Sequence, residues 1–426
     1  NRFYNDIVSH RNYTPRIIEF ITDTNQTKSL SAETFQEFIL LNLNNPKEIW
    51  RSSFNNQISY LDRCLLLTLF TFERRTKESL LSEAYQQRLE FEKIAHNQII
   101  ESNQFDQSIK ILLNGFIISY LDYNENSREY QFINPSLTDF LIAYISNSDS
   151  EIKAIVSSIR YVEQLQRFNP AKSVIRLNSE CETVIRERIT SNQFLILASQ
   201  DRYFTSNKKH AIYAETLCKY CPSVNKDNIL LKHLSSITFD ESWSYILNHL
   251  SFIFFNLADS PQTIQYIQNN FIRIIEKYIY TVDDFDMIYE IPQLFELFGQ
   301  DYEIYIESEE GMNNILELVN TILKNTEEGI RETYKDQVTN LDDVPDYYDE
   351  LKNIERDLES ILFPNMSIDF GYQYEEDEDF WIEHISQNLS SYDYDDERGY
   401  NHRPSASEIN DFQSEDDMID DLFSEE

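Results

Sequence analysis

Glycine is scarce in this sequence, with only 6 residues in 426. An average soluble protein contains about 7% glycine. Tight turns between strands and loops that hold phosphate groups need backbone conformations that glycine adopts most readily. The shortage therefore argues against a fold rich in strands and turns, and against a phosphate-binding loop in this chain. It favours a mainly helical protein.

The sequence also lacks the short motifs of several common catalytic centres. It contains no Gly-x-Ser-x-Gly, no Gly-x-x-x-x-Gly-Lys and no His-Glu-x-x-His. Cys218 and Cys221 have the Cys-x-x-Cys spacing of many zinc sites, but no second pair of ligands follows, and the nearest histidines, His210 and His233, stand alone. We interpret the two cysteines as buried helical residues, and we expect neither a catalytic site nor a metal site in this chain.

Long apolar runs are missing as well. No run approaches the 18 residues of a membrane-spanning helix, and no signal peptide begins the chain. Together with only four cysteines, this predicts a soluble protein of a reducing compartment, by default the cytoplasm, with no membrane partner. Because the chain begins with Asn1, inside what already resembles a folded element, we expect it to be a fragment of a longer protein.

Basic residues are outnumbered, with 36 Lys and Arg against 74 Asp and Glu, which gives a net charge of −38. Residues 341–426 contain 28 Asp and Glu but only 4 Lys and Arg, so this end of the chain contributes −24. Binding to a nucleic-acid backbone needs clustered Lys and Arg. We therefore expect no nucleic-acid partner for this chain, and a basic protein surface as the match for its acidic end.

Residues 57–147 predict a winged-helix-like domain, because three helices precede a β-hairpin, although an unrelated small α+β domain is the alternative. The first helix is apolar almost all round, which is typical of a helix at the centre of a core. The third helix has Lys110 as its single basic residue, so it is a poor match for a DNA groove. The predicted helices are 58–70, 77–95 and 104–114, the last ended by Gly115, and the predicted strands are 116–121 and 130–133.

The hairpin leads into a helix through Asn134 and Pro135. Pro135 suits the first helical position and favours an extended conformation for Asn134, whose side chain is then available as the N-cap. Apolar residues follow at helical spacing and predict one buried face, which we expect to pack against the 58–70 helix. They are Leu137, Phe140, Leu141, Tyr144 and Ile145.

The other parts of the chain have different patterns. Residues 1–56 contain short helices. Residues 148–363 contain one amphipathic helix after another with no convincing strand, which predicts an irregular α-solenoid or helical bundle. Residues 364–426 lose this periodicity, and their acidic stretches predict a partly disordered tail.

Two stretches in the first third of the chain together resemble one protein family. They are residues 9–21, SHRNYTPRIIEFI, and residues 132–141, FINPSLTDFL. They resemble the lid and winged-helix part of the novel STAND NTPases of the third type, a group of bacterial P-loop ATPases similar to immune receptors. The resemblance covers residues 1–147 and implies that residues 1–56 are the lid-like segment and that residues 148–363 are a sensor domain.

In that family a nucleotide-binding domain lies upstream, the lid and winged helix close over the nucleotide, and a C-terminal helical array senses a trigger. The resemblance implies that Pro15 and Arg16 contribute to cofactor binding, with the proline against the base and the arginine on a phosphate. ATP and Mg²⁺ would be held by the upstream domain, since this chain has no P-loop. From the residues alone, Pro15 can equally be a helix starter and Arg16 a surface charge.

These patterns and the resemblance lead to one hypothesis and one alternative. The hypothesis is a non-catalytic regulatory and sensor half of a STAND-type ATPase. It couples recognition of a protein trigger on the helical array to nucleotide-controlled activation in bacterial antiviral defence, and it is compatible with homo-oligomers. The alternative is a stand-alone α-solenoid scaffold whose acidic tail binds basic partners.

Overall fold

The chain divides into two compact units, Asn1–Phe271 and Ile272–Glu426, in the computed structural model. The fold is mainly helical with one small antiparallel sheet among the described residues, which confirms the predicted fold class. The structure describes residues 7–10, 13, 18, 21–22, 27–28, 30–44, 47–73, 75–122, 126–197, 204–283, 285–338, 340, 344–366, 368, 370, 372 and 380–386.

Two helices precede the sheet-containing part, α1 (Ala32–Asn44) and α2 (Lys47–Asn56). On α1, Ile39 and Leu43 form a small buried cluster with Ile21. On α2, Trp50 and Phe54 are fully buried. The aromatic residues of α2 thus provide the surface on which later elements pack.

Six elements lie in the part of the chain that was predicted as a winged-helix-like domain, and we keep that name for them. The sheet has the order β1-β3-β2, and both strand pairs are antiparallel. The sequence analysis missed β1, because a strand of two residues shows no alternation of polar and apolar side chains. In chain order the elements are α3 (Tyr60–Thr71), β1 (Thr76–Lys77), α4 (Glu78–His96), α5 (Gln104–Leu112), β2 (Ile117–Asp122) and β3 (Ser127–Phe132).

Helix α3 lies at the centre of this domain. A capping box starts it, since Ser59 Oγ accepts a hydrogen bond from Asp62 N (3.2 Å) and the Asp62 carboxylate accepts one from Ser59 N (2.9 Å). Every residue from Cys64 to Thr71 is buried. The prediction of a central helix from its all-round apolar pattern is therefore confirmed.

The hairpin of β2 and β3 is longer than predicted. Its register pairs Ile117 with Phe132 and Asp122 with Ser127, so the strands extend into residues 122–129, which separate the two predicted strands. Backbone hydrogen bonds hold such pairs and do not require apolar side chains. The break after α5 also differs, because the left-handed residue is Asn114 (φ 61°) rather than Gly115. Asn is one of the few residues that tolerate this conformation.

The hairpin is followed by α6 (Pro135–Ser146), which begins as predicted. Asn134 Oδ1 accepts a hydrogen bond from Ser136 N (2.8 Å), and Pro135 occupies the first helical position. The Ser136 hydroxyl in turn accepts a hydrogen bond from Trp50 Nε1 (2.9 Å). The start of α6 is therefore fixed both by its own cap and by α2.

The buried face of α6 packs on two earlier helices. Leu137, Phe140 and Leu141 are buried, and α6 contacts both α2 and α3. The Phe140 ring lies edge-on to Phe54 of α2, with 5.5 Å between ring centres. The predicted packing against α3 is present, and α2 shares it.

Helices continue from α6 to the end of the first unit. Asp227 connects two of these helices that are far apart in the sequence. Its carboxylate accepts hydrogen bonds from the backbone N–H groups of Gln262 (2.8 Å) and Thr263 (2.9 Å). Burial raises the pKa of the Asp227 carboxyl, but these bonds and the Thr263 hydroxyl outweigh burial and lower it. The helices are α7 (Asp149–Ser158), α8 (Ser179–Thr190), α9 (Ser206–Tyr220), α10 (Asp227–Ser235), α11 (Leu247–Phe254) and α12 (Pro261–Asn269), with 3-10 helices Val162–Phe168 and Glu241–Tyr245.

The second unit is also helical where it is described. Its helices α17 (Glu309–Tyr334) and α18 (Val344–Leu362) pack together, and described residues that follow α18 contact α17. Tyr372 Oη donates a hydrogen bond to Glu327 Oε2 of α17 (2.7 Å), and Trp381 is 1% exposed. The helices, of which the first begins at the division between the units, are α13 (Phe271–Thr281), α14 (Phe285–Ile288), α15 (Glu290–Leu297), α16 (Tyr302–Glu307), α17 (Glu309–Tyr334) and α18 (Val344–Leu362).

Described residues of the predicted tail, such as Tyr372 and Trp381, are therefore packed, while residues 387–426 lie outside the described part. The predicted boundaries at 56/57, 147/148 and 363/364 do not coincide with the division between the compact units at 271/272. Those boundaries stay predictions.

Candidate functional site

The two nucleotide-binding residues that the family resemblance implies, Pro15 and Arg16, lie outside the described residues. Their role stays a prediction. Among the described residues, polar side chains are grouped where α4 contacts α3 and α7. We call the polar contacts of α3 and α4 with Glu151, Tyr161, Gln164 and Arg167 the polar joint.

Arg88 is the central member of the polar joint, with 2% of its side chain exposed. Its Nε lies 2.7 Å from Glu92 Oε1 on the same helix, and its Nη2 lies 2.8 Å from Glu151 Oε1 on α7. The other carboxylate oxygen of the fully buried Glu92 accepts a hydrogen bond from Tyr60 Oη (2.9 Å) and lies 2.6 Å from His96 Nδ1. One guanidinium group thus connects α4 to α7.

The sequence contains part of the signal for this network. Arg88 and Glu92 lie four residues apart on α4, on the same buried face as Leu81 and Leu89. Two charges within an apolar stripe indicate a buried ion pair, because charges are rarely buried without a partner. The partner on α7, Glu151, gives no such signal, since it lies 63 residues from Arg88 in the chain.

Burial and charge act in opposite directions at this network. Burial lowers the pKa of Arg88, but Cys64 and the carboxylates of Glu151 and Glu92 outweigh it, so the pKa is raised and the guanidinium stays charged. Burial raises the pKa of the Cys64 thiol to about 12 and also raises that of Tyr60. Neither group is therefore ionised as a nucleophile near neutral pH.

A second group of hydrogen bonds connects α3 and α4 to Tyr161 and to the 3-10 helix Val162–Phe168 that follows it. Tyr161 Oη donates to Glu83 Oε2 of α4 (2.6 Å), and Gln164 Nε2 donates to Thr71 Oγ1 of α3 (2.5 Å). Arg167 Nε donates to the carbonyl oxygen of Phe70 (2.7 Å), at the end of α3. Cations suit that position, because the last carbonyl groups of a helix carry partial negative charge.

The polar joint can hold the relative position of two parts of the first unit, but it does not resemble a reaction centre. Breaking a buried pair by removing one partner leaves an uncompensated charge, at a cost of about 3–5 kcal/mol. A displacement of α7 relative to α4 would separate Arg88 from Glu151, at a smaller cost, because Glu151 is 14% exposed and Arg88 keeps Glu92 as a partner. The arrangement therefore opposes displacement of α7 relative to α4.

The cysteines and histidines of the sequence analysis have different outcomes. Cys218 and Cys221 are buried and free, as predicted, although Cys221 lies just after the end of α9. The prediction that His210 and His233 stand alone is wrong, because their Nδ1 atoms lie 3.0 Å apart. Helix packing brings α9 and α10 together, and a separation of 23 residues in the chain gives no hint of it.

Among the described residues, no three His, Cys, Asp or Glu side chains are grouped as a metal site would require. In the same part of the chain, each helix is too short or too polar to cross a bilayer. Comparison with protein-family models, with curated proteins and with solved structures found no match to the chain.

Proposed function

We propose that the chain is the regulatory and sensor part of a STAND-type ATPase of bacterial antiviral defence, located in the cytoplasm. The observation that carries the proposal is the polar joint, in which Arg88 of the winged-helix-like domain pairs with Glu151 of the next helices. In such a protein, a trigger on the helical array must act on a nucleotide-controlled domain. An ion pair that joins the two supports this coupling, because movement of one part relative to the other must break it.

In this proposal the chain itself carries out no chemical step. An upstream domain supplies the P-loop, ATP and Mg²⁺, and Pro15 and Arg16 of the lid-like segment contact the nucleotide. The family resemblance of residues 9–21 and 132–141 supports this assignment.

The first test is the coding sequence upstream of Asn1. A Gly-x-x-x-x-Gly-Lys-Ser/Thr motif after a predicted strand is expected. The second test uses the protein that includes this upstream part. Deleting residues 148–426 is expected to abolish protection of bacteria against a phage panel while ATP turnover persists. An upstream sequence without the motif, or protection that survives the deletion, would contradict the proposal.

The second candidate is a protein-interaction scaffold that acts without an ATPase domain. The observation that favours it is the charge of −24 in residues 341–426, which suits a basic partner. A start codon immediately before Asn1 would support this candidate over the first.

A further inference from the structure

A cleft of about 680 Å³ lies beside the polar joint, within the first compact unit. Its walls come from the end of α3, strands β1 and β3, the first turns of α4 and the 3-10 helix Val162–Phe168. Ligand sites in proteins have volumes of roughly 300–1,000 Å³. The cleft is therefore large enough to hold several side chains of a partner.

Carboxylates outnumber cations among the described residues that line the cleft. Arg75, one of the cations, is already engaged, since its Nη1 lies 3.6 Å from Glu129 Oε2 and its guanidinium lies 3.9 Å from the centre of the Tyr120 ring. The cleft thus carries negative charge that its own cations do not balance. The carboxylates are Glu73, Glu83, Glu129 and Glu163, and the cations are Arg75 and Lys77.

The carboxylates belong to four separate parts of the wall, and apolar side chains lie among them. Phe72, Leu80 and Leu197 are the apolar members. Lysine and arginine side chains match such a surface, because each carries a charged head on an apolar stem. A nucleic-acid backbone or another polyanion would instead meet like charge.

We propose that this cleft binds a short segment of a partner protein that is rich in lysine and arginine. The partner's cations pair with carboxylates such as Glu73, and their stems cover Phe72 and Leu80. Because Glu83 and Gln164 line the cleft and also form the polar joint, the bound segment contacts both sides of the joint. The proposal does not depend on an ATPase role, since it concerns binding by this chain alone.

The first experiment measures binding by fluorescence anisotropy, with a labelled eight-residue peptide of alternating lysine, arginine and leucine. The double variant Glu73→Lys/Glu129→Lys is expected to bind at least tenfold more weakly than the unsubstituted chain. Glu90→Lys is the matched control, because Glu90 is an exposed residue of α4 outside the cleft, and less than twofold weakening is expected. Equal weakening by the double variant and two control charge reversals, Glu90→Lys/Asp106→Lys, would overturn the proposal.

The second experiment locates the peptide, since the acidic C-terminal end also attracts cations. Hydrogen–deuterium exchange of the full chain with saturating peptide is expected to slow in residues 71–83 and 162–168. Slower exchange confined to residues 341–426 would overturn the proposal. Glu73→Gln, which removes one exposed charge, keeps the test decisive if the double variant fails to fold. It is expected to weaken binding about threefold, and unchanged affinity would count against the cleft.

Discussion

At the scale of single residues, the contact between His210 and His233 has the clearest consequence. The two Nδ1 atoms share one hydrogen bond, so at least one ring must be neutral at that nitrogen. Burial lowers the pKa of His233 to about 4, and His210, Lys232 and Lys209 add to this effect. Burial also lowers the pKa of His210. The Tyr213 ring lies edge-on to the His233 ring, with 5.5 Å between the ring centres.

This pair predicts a loss of stability in mild acid. An unfolded histidine has a pKa of about 6.5, so between pH 6.5 and pH 4 the unfolded chain binds more protons than the folded one. The stability that the pair contributes is therefore present above pH 6.5 and is lost as the pH falls towards 4. We expect the free energy of unfolding to fall by about 2 kcal/mol over this range. Urea denaturation at a series of pH values measures it.

Two variants test whether this histidine pair causes the decrease: one removes the pair, and the other removes a histidine elsewhere in the chain. His210→Asn/His233→Asn should flatten the decrease between pH 6.5 and pH 4, whatever its effect at pH 7. His384→Asn, in the second unit, should leave the decrease unchanged, because the His384 ring nitrogen contacts the backbone oxygen of Phe380 rather than a second imidazole. A decrease of the same size in the Asn pair variant would contradict the prediction.

Residue-level features were predictable from the sequence when their cause was local. The cap at Asn134 with Pro135 follows from residue types one position apart, and the structure has it. The contact of His210 with His233 follows from the packing of two helices, which no local pattern encodes. Half of the Arg88 network was detectable as charges on an apolar face, and Glu151 was not.

At the scale of elements, α4 connects the winged-helix-like domain to α7. The coupling of Arg88 with Glu151 can be measured by a double-mutant cycle in urea denaturation. Arg88→Ala is expected to cost about 3–5 kcal/mol, because it leaves the fully buried Glu92 without its guanidinium partner. Glu151→Ala removes a partner that is 14% exposed and should cost about 1–2 kcal/mol. The double variant should cost less than the sum.

An exposed ion pair in the same region is the reference for this cycle. Lys153 of α7 and Glu180 of α8 lie 2.7 Å apart with half or more of each side chain exposed. Such pairs contribute little to stability, because water and salt screen them. A coupling energy for Arg88 and Glu151 no larger than that of this reference pair would rule out the polar joint as an energetic connection between the helices.

Element types were easier to predict than element ends. The apolar pattern of α3 and the stripe of α6 span three turns each, so helix was the sound prediction for both. The strands were misjudged in length, because β3 begins with the polar residues Ser127, Arg128 and Glu129 and is held by backbone pairing. Strand β1 exists because Thr76 and Lys77 lie beside β3 in the folded chain.

At the scale of the whole molecule, each compact unit contains its own buried apolar residues. In the first unit they include Leu66 and Phe70 of α3, and in the second Val319 and Leu323 of α17. Amide exchange through partial unfolding reports the stability of the cooperative unit to which an amide belongs. A destabilising change in one unit should therefore act on that unit.

Hydrogen–deuterium exchange of the full chain tests this separation. Arg88→Ala is expected to speed exchange in residues 60–71 by at least tenfold, because it leaves Glu92 buried without its main partner, and to leave residues 315–330 unchanged. The reciprocal variant, Leu323→Ala, creates a cavity that costs about 2–5 kcal/mol and should give the opposite pattern. If either variant speeds exchange equally in both segments, the chain unfolds as one cooperative unit, and a trigger bound anywhere could then act through global stability rather than through the polar joint.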